Sequence, residues 1–383
     1  MTEFIIFSMA DENYSNGKND KKSEQVPFYK NSTFLTCVGI LLLIILPLSM
    51  MISKSANQNK KVKTTVQKIE ERQPSGHKFS ELKIDPKTSY IKDGEHFKFI
   101  ISRDITFTGN MTDVHMLVKL PADVSGRQKV YNVQVSPAPR RILDKTDGKY
   151  AEILLQSPHG IVNVSIKGEA VVRNYNLGIA QRLRKNTDGA LTEEERQKYL
   201  KEEEGIETKS RFVHTIVTSH IPTATNETDT VKNVFDYVVN RLRYDRTDIN
   251  KDKGALAALH SGSGVCEEFA KAFIALCRAK NIPARIVTGF DIPFTDTMKD
   301  SYSGHTWAEV YLKPYGWVTF DPTNTLSEDI RRDAENLKIT PYDLLYGIMH
   351  DKHYLIIDAR IVSAKYEGSG GMSSKNLNIQ YFK

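Results

Sequence analysis

Residues Ser261–Phe290 read SGSGVCEEFAKAFIALCRAKNIPARIVTGF, and the fold turns on this stretch. Gly262 and Gly264 make an unhindered backbone approach to Cys266. Beyond it, Phe269, Phe273, Leu276 and Cys277 recur at helical spacing and form an apolar stripe. Asn281-Ile282-Pro283 stops that helix, and Ala284–Phe290 is a short apolar strand. Cys266 therefore lies in the first turn of a helix, behind a glycine loop. Unpaired N–H groups and the helix dipole favour an anion at such a place. The thiolate is the nucleophilic form of cysteine. The backbone N–H of Cys266 is placed to donate to a developing oxyanion. The plainer reading is a buried structural cysteine, the commoner fate of a single Cys.

A second stretch, Ser303–Asn324, reads SGHTWAEVYLKPYGWVTFDPTN. His305, Trp307, Glu309 and Tyr311 alternate with Thr306, Ala308, Val310 and Leu312, as in a strand. Lys313-Pro314-Tyr315-Gly316 is turn chemistry, and Trp317–Asp321 is the return strand. An odd-membered turn centred near Lys313 sets His305 and Asp321 opposite each other on one face. A four-residue turn would send Asp321 to the other face. With the first register, Asp321 orients His305 and His305 takes the proton from Cys266, the nucleophile–base–orienter arrangement of acyl transfer. Taken singly, His305 reads as a satisfied strand histidine and Asp321 as a turn-capping acid before Pro322.

These blocks, together with HTWAEVYL and GWVTFDPTN, resemble the transglutaminase-like superfamily over roughly residues 230–325. The resemblance implies a papain-like α+β core, with a Cys-bearing helix packed on an antiparallel sheet that carries His and Asp. By that resemblance Cys266 is the nucleophile, His305 the general base and acid, and Asp321 the orienter. Tyr244 stands where many members carry an aromatic residue that helps the oxyanion or lines the site; a tyrosine that ends a helix also serves packing. Trp307 shares the His305 face and is read either as a cleft wall or as core.

The remaining sequence is organised around this core. Residues 1–30 read as a polar disordered tail, apart from the apolar patch Phe4-Ile5-Ile6-Phe7. Phe34–Ile52 runs without a charge between Lys30 and Lys54 and is expected to cross a bilayer once. Basic residues are nearly balanced on its two sides, so charge alone does not set orientation. Residues 54–76 read as a stalk.

Residues 78–175 alternate polar and apolar in short runs, among them His96–Ser102, Asp113–Leu120, Lys129–Val135, Tyr150–Leu155 and Gly160–Val172, and read as an all-β sandwich. Residues 176–228 are expected as a connector with a short exposed helix. The transglutaminase-like domain is expected over 229–383, with a strand at Tyr354–Val362.

Composition excludes some classes. With 53 basic and 47 acidic residues, the net charge of +6 is spread among nearly equal charges, so no nucleic-acid stripe is expected. Of the three cysteines, Cys266 and Cys277 share one helix face but lie roughly 16 Å apart along its axis, too far for a disulfide. His350 and His353, with Asp351 between them, have a spacing that hints at metal, but lack further partners; no metal and no cofactor are expected.

The expected function is a membrane-anchored cysteine acyltransferase or peptidase acting on protein or peptide amides, its C-terminal domains outside the cytoplasm. The alternative is a non-catalytic membrane-tethered protein that binds peptides or envelope components.

Overall fold

The computed structural model describes residues 3–7, 94–145, 148–184, 186, 188–247, 254–292, 304–323, 328–343, 345, 353–357 and 362–382. The segments expected as membrane helix and stalk lie outside these. Among the described residues no helix is long and apolar enough to cross a membrane.

The alternating runs form two antiparallel sheets. After a short β1 (Glu3–Phe7), the strands are β2 (Glu95–Thr108), β3 (Met111–Lys119), β4 (Gln128–Ser136), β5 (Arg141–Lys145), β6 (Gly148–Gln156) and β7 (Gly160–Val172). Val114, Met116 and Val118 of β3 and Phe99, Ile101 and Ile105 of β2 are all at most 1% exposed. Each such buried side chain contributes about 1.5–3 kcal/mol.

The helices that follow are α1 (Leu177–Leu183), α2 (Glu193–Lys198), α3 (Arg211–Ser219) and α4 (Glu227–Arg241). Next come β8 (Arg243–Tyr244), α5 (Gly254–Ser261), β9 (Ser263–Gly264) and α6 (Cys266–Ala279). A third sheet then forms from β10 (Ala284–Ile292), β11 (His305–Leu312), β12 (Gly316–Phe320) and, beyond α7 (Glu328–Asn336), β13 (His353–Ile356). Its order is β12-β11-β10-β13. Helix α7 belongs to a second compact unit and the three sheets to the first.

The chain then returns to the sandwich, which corrects the expected boundaries. Strand β14 (Val362–Gly368) pairs with β3, and β15 (Gly371–Phe382) pairs with β2. The sheets are β1-β14-β3-β6-β5 and β15-β2-β7-β4. Val362, Ala364, Tyr366, Leu377, Ile379 and Tyr381 are buried in the common core. Their period-2 apolar face needs a partner sheet, and the partner lies far back in sequence. The single strand expected at Tyr354–Val362 is thus divided: His353–Ile356 edges the third sheet, and Val362 opens a sandwich strand. The Phe4–Phe7 patch, placed in a disordered tail, is strand β1 on the free edge of β14.

The expected connector is also part of the fold. Asn176, Thr192, Ser210 and Asn226 cap the four helices that follow them, each accepting from a backbone N–H of the first turn. Tyr175 O accepts from Thr319 N at 3.0 Å, Tyr311 donates to Gly189 O at 2.6 Å, and Tyr199 meets Trp317 edge-on with ring centroids 4.7 Å apart. Tyr175 thus bonds to the β12 edge, and Gly189 and Tyr199 lie over the face that carries Tyr311 and Trp317. Helix α6 covers the other, where Phe273 packs on Phe320 and Phe235.

One buried ionic cluster joins sandwich to third sheet. Glu309 is 1% exposed. It accepts from Arg285 at 2.6 and 2.9 Å and from Arg127, which enters from the start of β4. The two guanidinium groups outweigh burial and hold the Glu309 carboxyl below its ordinary range. Removing one partner of a buried charge cluster leaves the others uncompensated. Glu309→Ala is therefore expected to cost about 3–5 kcal/mol, read from urea unfolding; a loss no larger than that of an exposed substitution would show that the cluster contributes no stability.

Candidate active site

The start of α6 is built by close contacts. Val265 caps it with extended backbone, and its N–H donates to Glu268 Oε2 at 3.0 Å. Glu268 is fully buried beneath the loop. A Cβ on Gly264 would lie 2.5 Å from Glu268 Cβ, so only glycine fits there. Gly264 also pairs with Tyr244 in the parallel β8–β9 contact, and Gly264 O accepts from Asp245 N at 3.0 Å. These bonds hold Tyr244 beside the first turn of α6. Cys266 itself is partly exposed, whereas Cys277 is buried. Burial pushes the Cys277 thiol far up, out of reach of ionisation.

The register of β11 with β12 delivers the other two groups. Leu312 pairs with Gly316, leaving the odd-membered loop Lys313-Pro314-Tyr315. His305 and Asp321 therefore share a face, as the alternation requires. The loop is centred on Pro314 rather than Lys313, so the two are diagonal neighbours rather than directly opposed. Even so, His305 Nε2 lies 2.7 Å from Asp321 Oδ2, with the two side chains 15% and 3% exposed. Thr323 N donates to Asp321 Oδ1 at 3.1 Å.

The Cys266 side chain acts on the His305 ring as a neighbour. With Nε2 on Asp321, Nδ1 is the ring nitrogen left for the sulfur. Burial alone would push His305 down. The Asp321 charge and hydrogen bond outweigh it, Cys266 adds to them, and the imidazole is pushed up to about 10. The sequence-predicted trio is thus contiguous: sulfur, imidazole, carboxylate.

The two aromatic candidates divide. Tyr244 is half-buried, and its ring lies 6.3 Å from that of Phe269. Burial pushes its phenol up, and Cys266 and Asp321 act in the same direction, against the charge of Arg246. Trp307 is only 1% exposed. It stacks under His305 at 5.9 Å and on Tyr354 at 4.5 Å. Of the two roles expected for it, core is the one it fills: it is the buried floor of the imidazole, not an open wall.

Tyr354 was not singled out in the sequence. Its hydroxyl donates to Asp321 Oδ2 at 2.9 Å from strand β13. No local motif marks it, because it reaches the site through the β10–β13 pairing. That pairing passes over Gly289, where a Cβ would lie 2.0 Å from Leu355 O. The glycine in the VTGF run was the available signal. Among the described residues no cluster of three His, Cys, Asp or Glu side chains could hold a metal ion. His350 and Asp351 lie outside the described residues.

Residues 215–322 match the family model of the transglutaminase-like superfamily. An uncharacterized protein of Bacillus subtilis (strain 168), YebA, is 28% identical over 128 residues, 30% of this chain and 17% of that protein. An uncharacterized protein of Mycobacterium leprae (strain TN), ML0607, is 35% identical over 88 residues, 22% of this chain and 31% of that one. The chain thus spans less than a third of either relative. Among solved structures, a candidate cysteine protease from Cytophaga hutchinsonii aligns with a TM-score of 0.50 and 18% identity, covering 75% of this chain and 90% of that chain. That likeness is one of fold.

Two outcomes follow from the geometry. Iodoacetamide near neutral pH is expected to label Cys266 well ahead of Cys277 in the folded protein, by mass spectrometry; equal, slow labelling would contradict the contrast in exposure. The raised His305 also makes stability depend on pH. A group whose folded pKa is raised contributes its full stabilisation below its unfolded value, near 6.5, and loses it as pH rises through about 10. The stability gap between wild type and His305→Gln should therefore shrink between pH 7 and pH 10.5 in urea titrations; a constant gap would exclude an ionic His305–Asp321 pair.

Proposed function

We propose that this chain, whose residues 215–322 are a transglutaminase-like core, is a cysteine enzyme acting on peptide or protein amides through a thioester on Cys266. The observation that supports it is one imidazole hydrogen-bonded to a buried carboxylate, with a partly exposed sulfur at a helix start acting on the same ring.

The chemistry begins when His305 takes the proton of Cys266, leaving a thiolate and an imidazolium. The sulfur attacks the amide carbonyl carbon, and the carbonyl oxygen takes up the negative charge. The Cys266 N–H, in the first turn and so without an intrahelical acceptor, donates to that oxygen. The Tyr244 hydroxyl is the second candidate donor. His305 gives its proton to the leaving nitrogen, the C–N bond breaks, and a thioester remains. The now neutral imidazole takes a proton from water or an amine, which attacks the thioester. The C–S bond breaks, restoring thiolate and imidazolium. Asp321 orients the ring throughout and stabilises its charge without itself being protonated. Hydrolysis, deamidation and transamidation share these steps and differ in the second nucleophile.

The chain is further proposed to be held at a membrane by residues 34–52, with residues 54–383 outside the cytoplasm. Such a crossing and the β1–β14 pairing exclude one another in a single molecule, since the crossing puts Glu3–Phe7 on the opposite side. Each Leu, Ile, Phe or Val gains about 0.3–0.6 kcal/mol on insertion, and Phe34–Ile52 holds many of them against one short edge strand. On insertion of residues 34–52, β1 would leave the β14 edge. Protease added to intact cells is expected to digest residues 54–383; resistance until the cells are broken would place them inside.

The activity is tested with the detergent-solubilised chain on peptide amides, with water, hydroxylamine or an alkylamine as second nucleophile. Ammonia or amine release, or hydroxamate formation, is expected from wild type. Cys266→Ala should abolish it, a loss above about a thousandfold, while shifting the unfolding midpoint little, because alanine is well tolerated in a helix. Equal turnover by both proteins would refute the thioester route. Peptide binding without turnover would favour a tethered binding protein.

A further inference from the structure

The Asp321 carboxylate is held by more than the histidine it serves. Oδ1 accepts from Thr323 N at 3.1 Å, and Oδ2 accepts from both His305 Nε2 at 2.7 Å and Tyr354 Oη at 2.9 Å. Tyr354 comes from β13, 33 residues beyond Asp321. Its ring is parallel to His305 within 14° and to Trp307 within 30°, so the three rings form one buried stack. Only 8% of Tyr354 is exposed. We propose that Tyr354 is a positioning residue: its hydroxyl locks the Asp321 carboxylate in the orientation that serves His305, and its ring keeps water from their hydrogen bond. This role deepens the reading of Cys266, His305 and Asp321 as a catalytic unit and rests on it.

The chemistry of the phenol suits the task. A neutral hydroxyl beside a carboxylate can only donate. Burial, then the Asp321 and Asp291 charges, push the Tyr354 phenol well up, so it stays a donor at every pH the protein meets. A donor on Oδ2 also spreads the carboxylate charge that faces the imidazole. The ionisable groups around the site are Asp321 and Cys266 facing His305, Asp321 and Asp291 facing Tyr354, and Cys266, Asp321 and Arg246 facing Tyr244. Tyr354→Phe removes one bond and leaves the ring stack in place.

The test compares the full chain in detergent as wild type, Tyr354→Phe and Ile356→Val. Ile356 packs on the same apolar cluster, and its trimming leaves Asp321 untouched. Amide turnover gives kcat and KM. The pH profile of Cys266 alkylation by iodoacetamide gives an alkaline step that marks loss of the His305 proton. For Tyr354→Phe, kcat is expected to fall about tenfold, with KM within about twofold. The alkaline step should move to higher pH, because Oδ2 then keeps more negative charge for the imidazolium. Ile356→Val should keep the wild-type profile. A Tyr354→Phe profile superposed on wild type, with no greater loss of rate than Ile356→Val, would overturn the proposal. Alkylation requires no substrate, so it decides the role of Tyr354 even where no amide is turned over.

Discussion

The hydrogen bond between His305 Nε2 and Asp321 Oδ2 is the constraint to which the other features of the site refer. At 2.7 Å, and nearly dry on the carboxylate side, it costs desolvation that only good geometry returns. That geometry needs the β11–β12 register, the odd-membered loop between the strands and donors on the remaining lone pairs of Asp321. Thr323 N and Tyr354 supply those donors. The partly exposed sulfur at the α6 start neighbours this imidazole. Cys277, on the same helix, is buried, and burial pushes its thiol far up in spite of Arg278. Two cysteines on one helix thus differ in exposure by position alone.

The sheet that carries this bond is covered on both faces. Helix α6 buries one face with phenylalanines. The other meets Gly189 and Tyr199, and Arg127 through Glu309. Glu309 is two residues from Trp307, which floors the imidazole, so the buried ion cluster and the ring stack share one strand face. The sandwich core also takes in Phe290, Ile292, Leu355 and Ile357 from β10 and the β13 segment. The β-domain is therefore continuous with the strand that brings Tyr354, and its integrity is coupled to the site by packing.

Much of this was legible in the chain. Glycines before Cys266, an apolar stripe after it and a proline stop defined the helix that starts at Cys266. Alternation from His305 to Leu312 and turn residues at Lys313–Gly316 defined the hairpin, and parity alone put His305 and Asp321 on one face. The offset by one pair was not legible, because loop length is a three-dimensional choice among turns of similar composition. Nor was the return of residues 362–382 to the sandwich, since alternation reveals a buried face but not which sheet buries it.

What the sequence determined by itself is what depends on local spacing: helix, strand, turn, and the residue types able to act as nucleophile, base and orienter. What only the tertiary structure decided is what depends on pairings between distant segments. Tyr354 reached Asp321, Arg127 reached Glu309 and Trp307 became floor rather than wall because backbone registers brought them there. Hydrogen bonds and burial energy act at contact, and contacts between residues far apart in the chain leave no periodic trace in it.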